Sequence, residues 1–307
     1  MVIWRLCDLL TIFLLNSSKR GIRFLLQSLG PVCPTLAVGR AEANKSKLQM
    51  STLHDRQQVI TVARLPGSLP MGGVVPDTPI FAFHTPPSWL NFSSKPFELT
   101  PKRESVDCDE ALVFIIRNVT LPEEADQLVK ASELFGFREE APGISTPPGM
   151  RLNKSVHWIA PESVLQSIFE RIKTLLPQSI DGRNLTPRLS CRLNVYKYEQ
   201  GDVFNRHIDG DWPGYGLSLD GSEMVQWEDT HSCLSMLLYL NGRDDGVQGG
   251  STRIFGRQGS VVDVKPRKGD ALFFRHGFSP SSVMHAGQPV RGATPKYLAR
   301  INVLFDV

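Results

Sequence analysis

The chain has 307 residues, 41% of them hydrophobic and 21% charged, with a formal net charge of +3. This is an ordinary globular composition with ample material for a core, and so small a charge without any Lys/Arg run argues against a nucleic-acid surface. The five cysteines, Cys7, Cys33, Cys108, Cys191 and Cys233, are scattered and form no C-x-x-C, which argues against a disulfide framework and a zinc knuckle and mildly favours a reducing compartment.

Met1 to Leu15 is apolar, but Arg5 and Asp8 interrupt it. The run is too short and too charged for a clean membrane span, so none is expected. No acid occurs between Asp8 and Glu42, whereas Lys19, Arg20, Arg23 and Arg40 do. An acid-poor, basic leader over residues 1–50 resembles an organelle transit peptide more than a secretory signal. A signal anchor and a plain extension are the alternatives. Residues 51–108 then contain a dense set of prolines, from Pro66 to Pro101. Proline lacks the backbone donor and blocks regular helix, so this stretch reads as a disordered linker. A globular domain is expected over 109–307.

That domain opens with an apolar strand, Ala111–Arg117. Thr120-Leu-Pro122-Glu123 reads as a capped helix start. Leu128, Ala131, Leu134 and Phe135 continue at helical spacing. A second helix is expected over about 161–176, with Val164, Leu165, Ile168, Phe169, Ile172 and Leu175 as its buried stripe. This helical part, 120–177, supports a sheet and carries no chemistry. From Leu189 the pattern changes to short apolar runs separated by Gly, Pro and Asp. Eight strands are predicted, at 189–199, 202–208, 232–240, 252–256, 260–264, 270–275, 281–286 and 296–305. Eight such strands indicate a mainly β fold with flanking helices, a two-sheet jelly roll over 189–307.

The chemistry gathers around Val203-Phe-Asn-Arg-His-Ile-Asp209. In a strand, residues two apart share a face, about 7 Å apart, so His207 and Asp209 lie side by side. With His285 of Met-His-Ala-Gly they form two imidazoles and a carboxylate, a facial set that leaves metal positions open for other ligands. His276 in Phe-Arg-His-Gly competes with His285 for the distal role. After Asp209, residues 210–230 form a long insertion with Trp212, Tyr215 and Trp227, five acids and no Lys or Arg. Such a loop beside a site is a candidate substrate surface, with packed aromatics as the alternative.

Further motifs follow in order: Arg192-Leu-Asn-Val-Tyr196-Lys-Tyr198, Cys233–Asn241 with Tyr239, Gly249-Gly250-Ser-Thr252, Pro266–Phe274, His285-Ala-Gly-Gln-Pro-Val, then Lys296. This ordered set resembles the 2-oxoglutarate- and iron(II)-dependent dioxygenases, in particular their prolyl 4-hydroxylase-like branch, over about Val113 to Val307. The resemblance implies a double-stranded β-helix and iron(II) on His207, Asp209 and His285. It implies 2-oxoglutarate and dioxygen as co-substrates, and L-ascorbate as a reductant. It assigns the far carboxylate of 2-oxoglutarate to a cation at the start of the last strand. Lys296 fits that place, with Arg300 as the alternative anchor, and Tyr239, Tyr198 and Thr252 as neighbours in the pocket. The expected product is a hydroxylated C–H bond, on a prolyl residue of a protein or peptide or on a small molecule. The family's halogenating relatives lack the carboxylate that Asp209 supplies here. Two other classes stay open: a non-catalytic jelly-roll binding module, and a cupin-like metalloenzyme that does not use 2-oxoglutarate.

Overall fold

The computed structural model describes Asp55, residues 58–92 and residues 98–307. The basic leader at 1–50 lies outside the described residues. From Arg192 onward the short apolar runs become strands because alternate residues on each have a different surface to cover. The eight expected strands are all present. Four of them, β9 (Arg192–Tyr198), β12 (Met224–Tyr239), β15 (Ala271–Arg275) and β17 (Lys296–Asp306), lie adjacent in a larger 13-stranded sheet, in the order β15-β12-β17-β9. The other four, β10 (Phe204–His207), β13 (Thr252–Phe255), β14 (Val261–Val264) and β16 (Met284–Gly287), form a separate sheet in the order β10-β16-β13-β14. Buried residues of both sheets, among them Tyr196, Tyr198, Leu237, Leu298, Phe204 and Ile254, pack together between them. This is the jelly roll.

The residues of opposite parity on the larger sheet, Leu193, Val195, Met236, Leu238, Ala299 and Ile301, point the other way and join a second core. There they meet helix α1 (Pro122–Phe135), through Ala125, Leu128, Ala131 and Phe135. They also meet helix α2 (Glu162–Ile172), through Val164, Leu165, Ile168, Phe169 and Ile172. The helix start differs in detail from the expected capping box. The Leu121 amide donates to Glu124 Oε2 at 2.9 Å, so Glu124 rather than Glu123 answers the open helix end. The same carboxylate receives Arg171 of α2 at 2.6 and 2.7 Å and ties the two helices together.

Two expectations need correction. Residues within the proline-dense stretch form a hairpin, β1 (Val59–Ser68) and β2 (Val74–Phe83), and β2 joins the larger sheet beside β6 (Lys154–Ile159). Proline loses its donor but keeps its acceptor. The Pro66 and Pro70 carbonyls accept from Gly143 and Gly149 at 2.8 and 2.7 Å, so these prolines hold the 143–149 loop in place. The segment 210–230 is not a free loop either. Strand β11 (Pro213–Leu217) pairs with the first half of β12, which runs on through Thr230 into the core. Cross-strand pairing supplies the backbone partners that an acidic, aromatic loop would otherwise seek in water.

Candidate metal and co-substrate site

The pairing of β10 with β16 sets His207 directly opposite His285. Asp209 follows β10 by two residues and turns to the same side. One ligand atom from each of the three residues lies within 4.8 Å of the others. The Nε2 atoms of His207 and His285 stand 3.5 and 3.8 Å from Asp209 Oδ1. Each imidazole is fixed through its other nitrogen. His207 Nδ1 donates to the Asn205 carbonyl at 2.7 Å, and His285 Nδ1 to the Val283 carbonyl at 3.3 Å. A carbonyl only accepts, so in both rings Nδ1 carries a proton, and Nε2 is the atom that faces Asp209. Burial, with His207 alongside, pushes His285 down to about 3, so it is neutral. Phe204 stacks on the His207 ring at 3.7 Å between centroids, and Phe274 leans on His285. Two imidazoles and one carboxylate, converging and already oriented, suit a divalent iron.

Asp209 is buried and has a built surrounding of its own. Its Oδ2 accepts from Arg300 Nε at 2.9 Å and from the Ser235 hydroxyl at 2.5 Å. Ser235 also meets His276 Nδ1 at 2.8 Å, and His276 Nε2 meets Ser232 Oγ at 2.9 Å. Burial alone would raise the Asp209 pKa. The Arg300 guanidinium, then His285 and His207, outweigh it and hold the carboxyl well below its usual range. His276 therefore lies behind the carboxylate rather than among the converging ligand atoms. Burial and Arg300 push it down to about 3, and it serves as a neutral hydrogen-bond partner.

A small cavity opens on the three ligand residues and is walled by Tyr196, Tyr198, Thr252, Gly287, Lys296 and Arg300 among others. Lys296 is fully buried, 0% exposed. Its ammonium donates to the Gly250 carbonyl at 2.8 Å and lies 4.2 Å from the centre of the Tyr198 ring. Burial pulls its pKa down to about 7. Gly250 has φ +65°, and a Cβ there would stand 3.1 Å from Lys296 Cδ, so a side chain at this position would crowd the lysine. Thr252 lines the cavity, and Tyr239 reaches it only through a 2.9 Å hydrogen bond from its hydroxyl to Thr252 Oγ1. Lys296 and Arg300 share a face of β17, but Arg300 is engaged by Asp209, by Ser235 and by the Gly210 carbonyl at 2.7 Å.

Trp212, Tyr215 and Trp227 do not line this cavity. They pack with Val62, Ile80, Ile159 and Cys191 instead. Sequence reasoning missed Ser235, Tyr196 and the role of Arg300. The usable signal was polarity out of place: a serine inside the apolar run of β12 and an arginine inside β17.

A jelly roll that holds a converging His-Asp-His set at one end, beside a buried cation, defines a metal-dependent oxygenase centre. Residues 192–303 match the 2OG-Fe(II) oxygenase superfamily. The chain carries an oxygenase domain of this family, an enzyme using iron(II), 2-oxoglutarate and dioxygen. No curated protein sequence matches it. Among solved structures it is similar to a viral collagen prolyl hydroxylase of Paramecium bursaria Chlorella virus-1. Identity there is 20%, the TM-score is 0.43, and the match covers 65% of this chain and 98% of that one. It is also similar to a Pseudomonas putida prolyl-4-hydroxylase, at 17% identity and TM-score 0.41, covering 64% and 93%. A third is a Trichoplax adhaerens prolyl hydroxylase in complex with a hypoxia-inducible factor peptide fragment, at 17% identity and TM-score 0.43, covering 64% and 84%. Among the described residues no helix is long and apolar enough to cross a membrane.

Proposed function

We propose that the chain hydroxylates a C–H bond of a peptide or small-molecule substrate, with Lys296 as the anchor of 2-oxoglutarate. The observation that carries this reading is the state of Lys296. It is a fully buried ammonium, in one cavity with three metal-ligand residues, and among the described residues its partners are a carbonyl and an aromatic ring. A buried cation without an anion is costly, and a carboxylate delivered into the cavity would relieve that cost. Arg300 supports the same assignment from the other side, since its charge is already answered by Asp209. A cupin-like metalloenzyme without 2-oxoglutarate would have no use for the buried ammonium, and a plain binding module no use for three oriented ligand atoms.

Within this reading His207, Asp209 and His285 would hold the iron, and L-ascorbate is the proposed reductant. The bound metal supplies oxygen activation coupled to decarboxylation of 2-oxoglutarate to succinate. The protein's part is placement. Lys296 fixes the far carboxylate, and Tyr198 covers the stem. Thr252, held by Tyr239, offers a second hydroxyl. Arg300 and Ser235 keep Asp209 turned with Oδ1 toward the imidazoles. Asp209 keeps a carboxylate in the set, which favours hydroxylation over halide transfer. Prolyl residues of peptides are the substrate proposed first, by the resemblance of the ordered motifs.

Anaerobic titration of the purified chain with iron(II) and 2-oxoglutarate tests the reading. A visible charge-transfer band that needs both components is expected, together with succinate formation once oxygen is admitted. Iron binding with no 2-oxoglutarate-dependent band would favour the cupin-like alternative, and no iron binding would favour the binding module.

A further inference from the structure

Four cations are buried in this part of the fold, each at most 5% exposed: Lys296 and Arg300 line the cavity, while Arg151 and Arg192 lie outside its wall. Asp209 answers Arg300. Arg151 is held by the carbonyls of Asn153 and Glu139, at 2.6 and 2.5 Å. Lys296 is taken by the co-substrate on the reading above. Arg192 is left over. Its Nη2 donates to the Pro142 carbonyl at 2.8 Å and to His157 Nδ1 at 3.1 Å, while Nε and Nη1 have no hydrogen-bond partner. Among the described residues no carboxylate lies within ion-pair distance of it, and the neutral Tyr215 phenol, an electrostatic and side-chain hydrogen-bond neighbour, is what supports its charge.

Its position matters as much as its charge. On β9 the inward residues run Tyr198, Tyr196, Asn194, Arg192. Lys296 pairs with Tyr198 at one end, and Arg300 pairs with Asn194 at the level of Asp209. Arg192 is the next inward step, about 7 Å further along the strand, on the side of the metal ligands away from Lys296. There it meets two more unpartnered donors, beside the unanswered Asn194 Oδ1. His157, opposite Asn194, accepts from Arg192 through Nδ1, so its Nε2 bears the proton and has no acceptor. The Trp212 Nε1–H is likewise unanswered, with the Arg192 guanidinium 5.0 Å from that ring. Gly143 packs closely against this cluster. A Cβ there would stand 3.3 Å from the Trp212 ring and 3.5 Å from Arg192 Nη2, at a φ of +71°.

We propose that Arg192, with the N–H groups of His157 and Trp212, receives a carboxylate of the prime substrate, across the metal from the co-substrate anchor. Donors without an acceptor, converging beside a planar guanidinium, are the recognition chemistry of a carboxylate. The substrate class is then an acid: a free amino acid or peptide C-terminus, or a peptide with an acidic side chain a few bonds from the attacked carbon. Burial also lowers the Arg192 pKa, to about 10, as it does for a cation lacking its counter-ion. The proposal rests on the oxygenase reading for its meaning but not for its test.

The test uses the full chain with manganese(II) and saturating 2-oxoglutarate. Thermal melting is followed with propionate and benzoate and with their matched amides, at constant ionic strength. Stabilisation by a ligand that binds only the folded state gives its affinity. We expect at least one carboxylate to bind tenfold or more tightly than its amide. Arg192→Gln should erase the difference and Arg192→Lys should keep part of it, with 2-oxoglutarate affinity unchanged in both. Trp212→Phe, which removes the indole N–H together with its pyrrole ring but keeps an aromatic side chain, should weaken the carboxylate several-fold, and stands in should Arg192→Gln fail to fold. No preference for carboxylates in the wild-type chain, or a preference that survives these substitutions, would overturn the proposal. N-acetyl-L-proline and acetyl-prolyl-glutamate amide then distinguish a terminal from a side-chain carboxylate. Loss of 2-oxoglutarate binding with retained carboxylate binding would sink the oxygenase reading alone.

Discussion

At the scale of single residues, the proposed function gives the two cations of β17 different work, and substitution separates them. Lys296→Ala should raise the 2-oxoglutarate requirement at least tenfold and leave iron affinity intact. Arg300→Gln should do the reverse, with iron affinity reduced about 10- to 100-fold, because the orientation of a metal ligand is at stake. Anaerobic titrations of both ligands on each variant check this; a swapped pattern would make Arg300 the anchor. The lowered pKa of Lys296, about 7, adds a pH signature. A bound dicarboxylate favours the charged amine and raises that pKa. Affinity is then greatest below pH 7, where Lys296 is already charged, and declines as pH rises above it. At pH 8 binding should take up close to one proton, and at pH 6 almost none. Calorimetry in buffers of different ionisation enthalpy reads the proton directly, and Lys296→Ala should abolish the uptake. The two histidines left open by the sequence separate as well. His285→Ala should lose most iron affinity, whereas His276→Ala should bind iron more weakly but measurably, since it removes a partner of Ser235 and no ligand atom. The metal binding of these two variants settles the assignment.

At the scale of elements, the alternation within strands made most of the site legible. His207 and Asp209 are two residues apart, and the pairing of β10 with β16 adds His285. Eight short apolar runs gave eight strands for the same reason, because a jelly-roll strand must bury one face. What stayed hidden depends on partners remote in sequence. Arg300 could be read as a second candidate anchor, because nothing local reveals that Asp209 lies 2.9 Å away. The 210–230 segment looked like a loop since Gly214, Gly216 and its acids weaken a strand pattern. In the structure those two glycines make room for Trp227, whose ring atoms would stand 2.6 Å from a Cβ at either position. Trp227 is also covered by the Arg188 guanidinium at 3.8 Å. It is thus a packing residue here. Trp227→Ala should cost about 1–3 kcal/mol, below the range for a fully enclosed tryptophan because the site is only partly buried. The hairpin tip at Ser218–Glu223, where Leu219 is exposed, should accept a shorter turn with no loss of melting temperature. Urea or thermal unfolding of the two variants compares them.

At the scale of the whole molecule, the oxygenase jelly roll does not end where the motifs end. The N-terminal hairpin extends the larger sheet through the Phe81–Trp158 pairing. Phe81, Phe83, Leu90 and Phe92 enter the same core as Phe135, Trp158 and the two helices. Phe83 and Phe135 lie 4.6 Å apart at their centroids, and Phe135 and Trp158 5.2 Å. Proline density concealed this. It reports lost donors, while the burial of the intervening aromatics decides whether the segment folds. Burying a large apolar side chain contributes roughly 1.5–3 kcal/mol, and a domain's net stability is only about 5–15 kcal/mol. Four such residues are therefore comparable with the whole margin. A chain begun at Asp109, the boundary that composition suggests, keeps every metal and co-substrate residue and yet should be unfolded or aggregate. A chain begun at Asp55 should melt cooperatively and bind iron(II) with the affinity of the full chain. Thermal unfolding with parallel metal titration of the two shortened chains distinguishes these outcomes. Equal melting temperatures would mean that the hairpin decorates the domain; a large gap would mean that residues 58–92 are part of the oxygenase fold, and that the loop they hold, next to Arg192, is built from both ends of the sequence.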